Sequence, residues 1–527
     1  MKFSCTSAAL AKLSTMESLD LIKRHGSTHY ANIHYGYYVL GVIVFYVLFL
    51  MLMRRVIPTR YTKISPWKNK LLQSIRTASP IFHLPLLAVL VFAPFIHHYS
   101  FIGNISVYIK RLGRLGYVLV ILNVLLTLRP VNPILGFNYL DFIPLHKWLS
   151  RFITVLGLCH GIAFIIKWSV NSDVSVKSKV TALYNFIGVI AFLPLFAILF
   201  LSIRPYRRHN YNVFYVVHQL AQWSMVFLIP IHARPKVTVP YFLCLLAIYI
   251  WRAFSYCYYA NTVNITQRIK QDQSLSYIKV ERGNIRDWLP GSHLRISKHK
   301  KTNPLYWLTP TKPYTIASLP DENQVDLIVR EKAVPYVTVG EYTVVDVYNT
   351  VSPSFLYDSQ RVAIVVGGSG ISFGLGVFKF LQARNLEYLK FIWLVKDKDD
   401  LHILNHCNVD VNDIEVYVTR SFPDDDTQTK SHDTNNNNSN SSAFDDIDFE
   451  LENMDESGAL LSNDPKMPPN IHFGKRLDWQ VDLAHFIETH ALENTWLVCC
   501  GPESLLKDGQ NYANQNYCNF VKEFYNL

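Results

Sequence analysis

The sequence has 527 residues, 50% of them hydrophobic and 14% aromatic, with a formal net charge of +11. The length allows two or three domains, and the apolar and aromatic content is high for a soluble protein. The basic excess would suit nucleic acid, but much of it flanks long apolar runs, where membrane orientation explains it, so no nucleic-acid partner is expected.

Residues 1–36 form an N-terminal segment without the uninterrupted apolar stretch of a signal peptide. Residues 37–257 form a membrane domain. Its apolar runs predict about seven spans, at Tyr37–Met53, Ile81–Ile96, Leu115–Leu128, Phe142–Trp168, Val180–Ile203, Tyr211–Ile231 and Tyr241–Cys257. Arg54, Arg55, Arg60 and Lys63 follow the first span, and Arg204, Arg207 and Arg208 separate the fifth and sixth. Placing both loops in the cytosol puts the large C-terminal half there too. Lys110, Arg111 and Arg114 then fall outside, against the rule. The plasma membrane and the endoplasmic reticulum both remain open as locations. The eight cysteines show neither paired C-x-x-C spacing nor a secreted disulfide framework.

The fourth and sixth spans each carry two histidines fourteen positions apart: His146 with His160, and His218 with His232. At ~1.5 Å per residue the members of a pair sit ~21 Å apart along the axis. Fourteen steps of ~100° fall only ~40° short of four turns, so both rings face nearly the same way. Each helix offers one imidazole near each face of a ~30 Å bilayer core. Imidazole inside a membrane is costly and needs a partner. A lone histidine there reads as a satisfied polar group between helices. Two pairs at one spacing read instead as two stacked bis-histidine haem sites, His146 facing His218 and His160 facing His232.

After Tyr258 the pattern changes to short alternating segments, such as YIKVER, HLRISK and QVDLIVREK, parted by turn signals. Residues 258–358 therefore read as an antiparallel β-barrel. It contains KPYTIASLP, where an aromatic beside small hydroxyl residues at a strand end can stack on a flavin and bond its polar edge. Residues 359–527 read as an α/β domain. A buried-type strand, Arg361–Val366, runs into Gly367-Gly368-Ser369-Gly370 and a helix. Such a turn lets backbone N–H groups meet a pyrophosphate, although it can also be purely structural. The strand FIWLVKDKDDL ends at Lys396 and Lys398, cations placed for a 2′-phosphate or for an ordinary solvated loop. TWLVCCGPESLLKD is a further strand–turn–helix. Residues of about 422–469 are acidic, Asn/Ser-rich and of low complexity, and are expected to form a disordered insertion.

With these motifs in order, the chain resembles the ferric reductase and NADPH oxidase superfamily, and is most similar to fungal metalloreductases of the ferric reductase family. The resemblance implies a multi-pass α-helical membrane domain of about seven spans, followed by a cytosolic β-barrel flavin domain and an α/β nucleotide-binding domain. It implies two b-type haems on His146, His160, His218 and His232. Pro313, Tyr314, Thr315 and Ser318 match the flavin motif, and Gly367, Gly368, Gly370 and Ile371 the NADPH phosphate loop. Cys500, Gly501 and Pro502 match the segment beside the nicotinamide. Electrons are then expected to pass from NADPH through FAD and the two haems to an acceptor across the membrane. That acceptor is a ferric or cupric chelate or, in the alternative, dioxygen giving superoxide. Phe164, four positions after His160, has no hydrogen-bond donor for reduced oxygen, which favours metal.

Three departures stand out. Lys312 replaces the His or Arg common before the flavin motif. NTVSPSFLYDSQ lacks the G-P-Y/F-G turn between the flavin and nucleotide domains. The C-terminus EFYNL does not end in the usual flavin-capping aromatic, a place Phe524 or Tyr525 would have to fill.

Overall fold

The computed structural model describes residues 32–57, 66–96, 101, 103–129, 132, 139–170, 175–233, 235–269, 274–330, 338–407, 409–419, 469–487 and 494–524. The acidic insertion up to residue 468, His97, His98 and Tyr525 lie outside them. The chain folds as two compact units that divide in sequence largely at Ala260 and Asn261.

The first unit is helical. Helices occupy all seven expected positions: α1 Asn32–Val56, α2 Pro80–Phe92, α3 Ile105–Leu125, α4 Ile143–Val170, α5 Leu183–Leu201, α6 Tyr211–His232 and α7 Pro235–Tyr258. The expectation of about seven spans needs correcting in detail. Among the described residues five helices, namely α1, α4 (counted from Leu140), α5, α6 and α7 (counted from Val237), are long and apolar enough to cross a membrane. Helix α2 has 13 residues, short of the ~20 a bilayer core requires. Helix α3 has 21 residues but begins ten positions before the expected Leu115, so Lys110, Arg111 and Arg114 lie on the helix and not in a loop.

Arg111 is buried at 3% exposure, with Nε donating to the Asn32 side chain and its guanidinium 5.4 Å from the rings of both Tyr35 and Tyr108. A buried guanidinium needs such bonds and ring faces to replace water. Helices α1, α3 and α4 supply most of the buried apolar core, including Tyr46, Leu50, Val118, Leu122 and Leu149. Helix α5 is the opposite case: apolar throughout, yet only 6% of its most apolar window is buried. Ile190, Leu193, Phe196 and Phe200 stand exposed along it, a surface suited to lipid.

Helix α6 is not uniform. Residues Ser224–Leu228 form a π-turn, with the Ile229 N–H bonded to the Ser224 carbonyl. Pro230 follows and cannot donate a backbone hydrogen bond, and a widened turn is one way a helix absorbs that loss.

The second unit begins with six strands: β1 Asn261–Ile269, β2 Leu275–Glu281, β3 His293–Ser297, β4 Lys312–Thr315, β5 Gln324–Arg330 and β6 Gly340–Tyr348. They form an antiparallel sheet in the order β4-β3-β6-β1-β2-β5. A bridge between Ile316 and Leu327 joins the residue after β4 to β5 and closes the sheet into a barrel. The inward rows, including Val263, Leu294, Ile316 and Val344, make its core. Clean alternation fails on β2 and β5, which are buried on both faces. Their outward Leu275, Tyr277 and Ile328 join a second apolar cluster, shared with the nucleotide-binding domain that follows.

That domain is an all-parallel sheet: β7 Arg361–Gly367, β8 Tyr388–Val395, β9 Glu415–Val418, β10 Ile471–Phe473, β11 Thr495–Gly501 and β12 Asn519–Phe524, in the order β10-β9-β8-β7-β11-β12. Helices α8 Ile371–Gln382 and α9 Glu503–Gln515 follow β7 and β11. Strand order reverses between β7 and β11, and open parallel sheets bind ligands at the carboxyl ends of strands at such a switch point.

Candidate functional site

In the first unit the four histidines meet in two pairs. The His146 and His218 rings lie 6.2 Å apart between centroids, and those of His160 and His232 6.1 Å apart. Two metal–imidazole bonds of about 2.0–2.1 Å each, plus two ring radii, add up to roughly this separation. Three of the four rings are also oriented by their second nitrogen. Nδ1 of His146 bonds to the Asn123 carbonyl at 3.0 Å, that of His160 to Ile109 at 2.7 Å and that of His232 to Tyr184 at 2.7 Å. Donation from Nδ1–H to a carbonyl leaves Nε2 as the free base, the arrangement metal-ligating histidines adopt.

Neighbouring helices make room for the outer pair. A Cβ on Gly188 of α5 would stand 2.4 Å from His232 Nδ1, and one on Gly113 of α3 would stand 2.8 Å from His160 Nδ1. His83 is the contrasting case. Its Nδ1 accepts from Tyr46 Oη at 2.8 Å and its Nε2 donates to the Ile75 carbonyl at 2.9 Å. With both nitrogens used, it is a satisfied core histidine.

In the second unit the glycine-rich turn and the C-G-P turn form one cradle at the switch point. Val366 and Cys500 are register partners in adjacent parallel strands. A Cβ on Gly370 would stand 2.6 Å from the Cys500 carbonyl oxygen, and one on Gly501 3.2 Å from the Gly367 nitrogen. Both positions therefore require glycine for close backbone approach. Gly368 has φ +55, in the left-handed region, and its carbonyl accepts from Trp393 Nε1 at 3.0 Å. Gly370 precedes α8 without a side-chain cap, and the Ile371 N–H turns back to the Gly368 and Ser369 carbonyls. Ile371 is fully buried beneath it. Pro502 opens α9, and burial pushes the Cys500 thiol well above its ordinary range, which keeps it protonated. Lys396 is exposed just past the end of β8, beside β7. Phe524 is the register partner of Gly501.

The flavin motif is tied to the same cradle. Pro313, Tyr314 and Thr315 lie on β4, and the Thr315 carbonyl accepts from Ser372 Oγ, in the first turn of α8, at 2.7 Å. Tyr314 is 9% exposed among the barrel core residues, and burial pushes its phenol up to about 12. Ser318 is not brought to the open face. It is fully buried, and its hydroxyl accepts from the Asp326 N–H at 3.1 Å, a bond that fixes the turn into β5. The stretch lacking a G-P-Y/F-G turn folds as the short helix Pro353–Asp358, anchored by fully buried Phe355 and Leu356.

Sequence reasoning missed Arg330. It ends β5 in the flavin domain, yet its Nη2 would lie 3.3 Å from a Cβ on Gly368. As the last residue of QVDLIVR it carried no signal beyond an exposed strand end.

Comparison with known families agrees with this layout. Residues 112–229 match the ferric reductase like transmembrane component, residues 260–355 an FAD-binding domain and residues 359–514 the ferric reductase NAD binding domain. A chain with these three parts in this order is a membrane oxidoreductase that uses a flavin and a nicotinamide nucleotide. It belongs to the ferric reductase family. It is 72% identical, over 97% of its own length and all of the relative's, to a protein of Kluyveromyces lactis named probable metalloreductase AIM14. It is 41% identical, over the same shares, to the protein of that name from Zygosaccharomyces rouxii.

Proposed function

We propose that this protein is a metalloreductase that carries electrons from cytosolic NADPH, through FAD and two b-type haems, to a ferric or cupric chelate across the membrane. The observation that carries this reading is the two imidazole pairs, each spaced for one metal atom and three of the rings held at Nδ1 by a carbonyl. The relatives' name supports the choice of acceptor. Bound flavin would turn a two-electron hydride into single electrons, and each haem would carry one.

The chain's own residues do the rest. His146 and His218 hold the inner site, and His160 and His232 the outer. Pro313, Tyr314 and Thr315 present the flavin face of β4, while Ser318 fixes the turn behind it. Gly367, Gly368, Gly370 and Ile371 hold a pyrophosphate at the start of α8, and Arg330 adds a guanidinium above Gly368. Cys500, Gly501 and Pro502 line the nicotinamide side as neutral packing. Lys396 stands where a 2′-phosphate would reach.

At the outer site Phe164 lies edge-on against His160, ring centroids 5.1 Å apart, and Trp168 stacks on Phe164 at 5.4 Å. Phe164 offers no donor to reduced oxygen, so nothing at that position stabilises developing negative charge. The test is turnover of purified protein with NADPH, offering ferric chelate, cupric chelate and dioxygen separately. Chelate reduction is expected to exceed superoxide formation, and the reverse order would overturn the choice of acceptor.

Two substitutions probe the assignments. Gly188→Val drives side-chain atoms into the His232 ring, an overpacking of roughly 1–3 kcal/mol. The expected product keeps the inner haem and shows a lost or high-spin outer one, read by haem content and visible spectrum. Lys396→Glu should lower kcat/KM for NADPH by about tenfold or more, the scale of a charge-assisted bond of ~1.5–3 kcal/mol, and leave NADH turnover unchanged. Equal effects on the two nucleotides would remove Lys396 from the site.

A further inference from the structure

The end of the first unit that carries His160 and His232 is basic, although spanning proteins concentrate cations on the cytosolic side. In the orientation set by the loops after α1 and between α5 and α6, this end faces away from the cytosol. The described residues of segments 93–114, 167–182 and 232–240 include the cations Lys110, Lys167, Lys177 and Lys179 and hold no carboxylate.

The bonds that orient the outer histidines also place these cations. His160 is held by the Ile109 carbonyl, next to Lys110. His232 is held by the Tyr184 carbonyl, and the neighbouring Asn185 amide donates to the Lys179 carbonyl at 2.8 Å. Lys167 follows His160 by seven residues. Seven steps of ~100° return it to within ~20° of the same helix face, ~10 Å nearer the helix end. Phe164 lies between them on that face. The Lys167 ammonium bonds to Ser106 Oγ on α3, which fixes it across the helix pair that holds His160. Lys177 and Lys179 are exposed on the short helix Val176–Thr181, just before α5.

We propose that this basic mouth selects anionic acceptors, a metal held by a polycarboxylate chelator, over cationic ones, and that Lys167, on the same helix face as His160, is a selecting residue. This inference rests on the metalloreductase reading and narrows it to a substrate charge. At the acceptor the step is transfer of one electron that converts a ferric chelate to the ferrous one, with no bond formed or broken there; each NADPH gives up a hydride, becomes NADP+ with release of one proton, and so reduces two chelates. Such an acceptor needs only to approach, so approach is what the protein can control. A field of one sign raises encounter rates by about 10–10³ and weakens as salt shortens the Debye length from ~30 Å at 0.01 M to ~10 Å at 0.1 M.

The test uses full-length protein in nanodiscs of neutral lipid, so that the lipid adds no charge. The protein is reduced anaerobically with NADPH and mixed with ferric-EDTA, an anion, or hexaammineruthenium(III), a cation. Reoxidation of the haem absorbance is followed at rising salt. The ferric-EDTA rate is expected to fall with salt and the hexaammineruthenium rate to rise. Lys167→Glu should lower the first about tenfold and raise the second, and Lys167→Arg should match the parent. A salt dependence of one sign for both acceptors, or a Lys167→Glu effect equal on both, would overturn the proposal. A parallel mix with dioxygen separates the two readings. Reoxidation by dioxygen faster than by either probe would count against metal reduction, while the order of the two charged probes would still decide the selectivity.

Discussion

Protein in which His160 or His232 is replaced by Ala should purify with about half the haem of the parent relative to flavin, and His146→Ala or His218→Ala should do the same at the inner site. Each ring stands about 6 Å from its partner, so one truncation leaves a single imidazole on a site built for two. The remaining ring cannot fix a six-coordinate, low-spin iron by itself. Chelate reduction should disappear in all four variants, since on the proposed two-haem reading each haem is a necessary stage in the transfer. NADPH oxidation by an artificial acceptor should survive, because the flavin and nucleotide residues lie in a separately packed unit. Haem content by the pyridine haemochrome, with the visible spectrum, decides the matter. Parent-like spectra in all four variants would refute the ligand assignment.

Gly370→Val should abolish NADPH-driven reduction while leaving bound flavin and the dithionite-reduced haem spectrum intact. Even a single Cβ would stand 2.6 Å from the Cys500 carbonyl oxygen, which is backbone and cannot swing aside. The turn must therefore part from β11 and shift the start of α8, where the proposed reading places a pyrophosphate. A misplacement of ~1 Å in a binding frame costs on the order of 10²-fold in rate, so kcat/KM for NADPH should fall by at least that factor. Turnover within about twofold of the parent would show that the cradle does not hold the nucleotide. Ser372→Ala is a milder variant at the same seam. It loses only the bond to the Thr315 carbonyl and should cost about 1 kcal/mol of stability.

Much of this architecture was legible because it is local in the chain. Helix periodicity put two histidines on one face of each of two spans, and a repeated spacing of fourteen residues is visible without a fold. Apolar runs located seven helices, and the strand–turn–helix pattern marked the turns at Gly367–Gly370 and Cys500–Pro502, which the fold brings together. Two local readings went astray for physical reasons. The third span was begun at Leu115 because charges ordinarily end a span, yet Arg111 is carried inside the helix by Asn32 and two tyrosine rings. Strands β2 and β5 read as half-buried, whereas a second domain covers their outer face.

The sequence by itself singled out the candidate cofactor residues: four spaced histidines, an aromatic–hydroxyl strand end and two turns after buried strands. Tertiary structure alone decided how those residues are held. The carbonyls that orient three of the imidazoles come from residues 23 to 51 positions away, on other helices. Gly113 and Gly188 matter only because packing brings an imidazole against each, and Ser318 turns inward only because β5 passes behind it. Arg330 reaches Gly368 because two domains share a seam that no local period encodes. Periodicity records which face a residue takes on its own element, while the neighbour on that face is set by long-range packing, and here that neighbour separates a candidate ligand such as His160, paired with His232, from a core histidine such as His83.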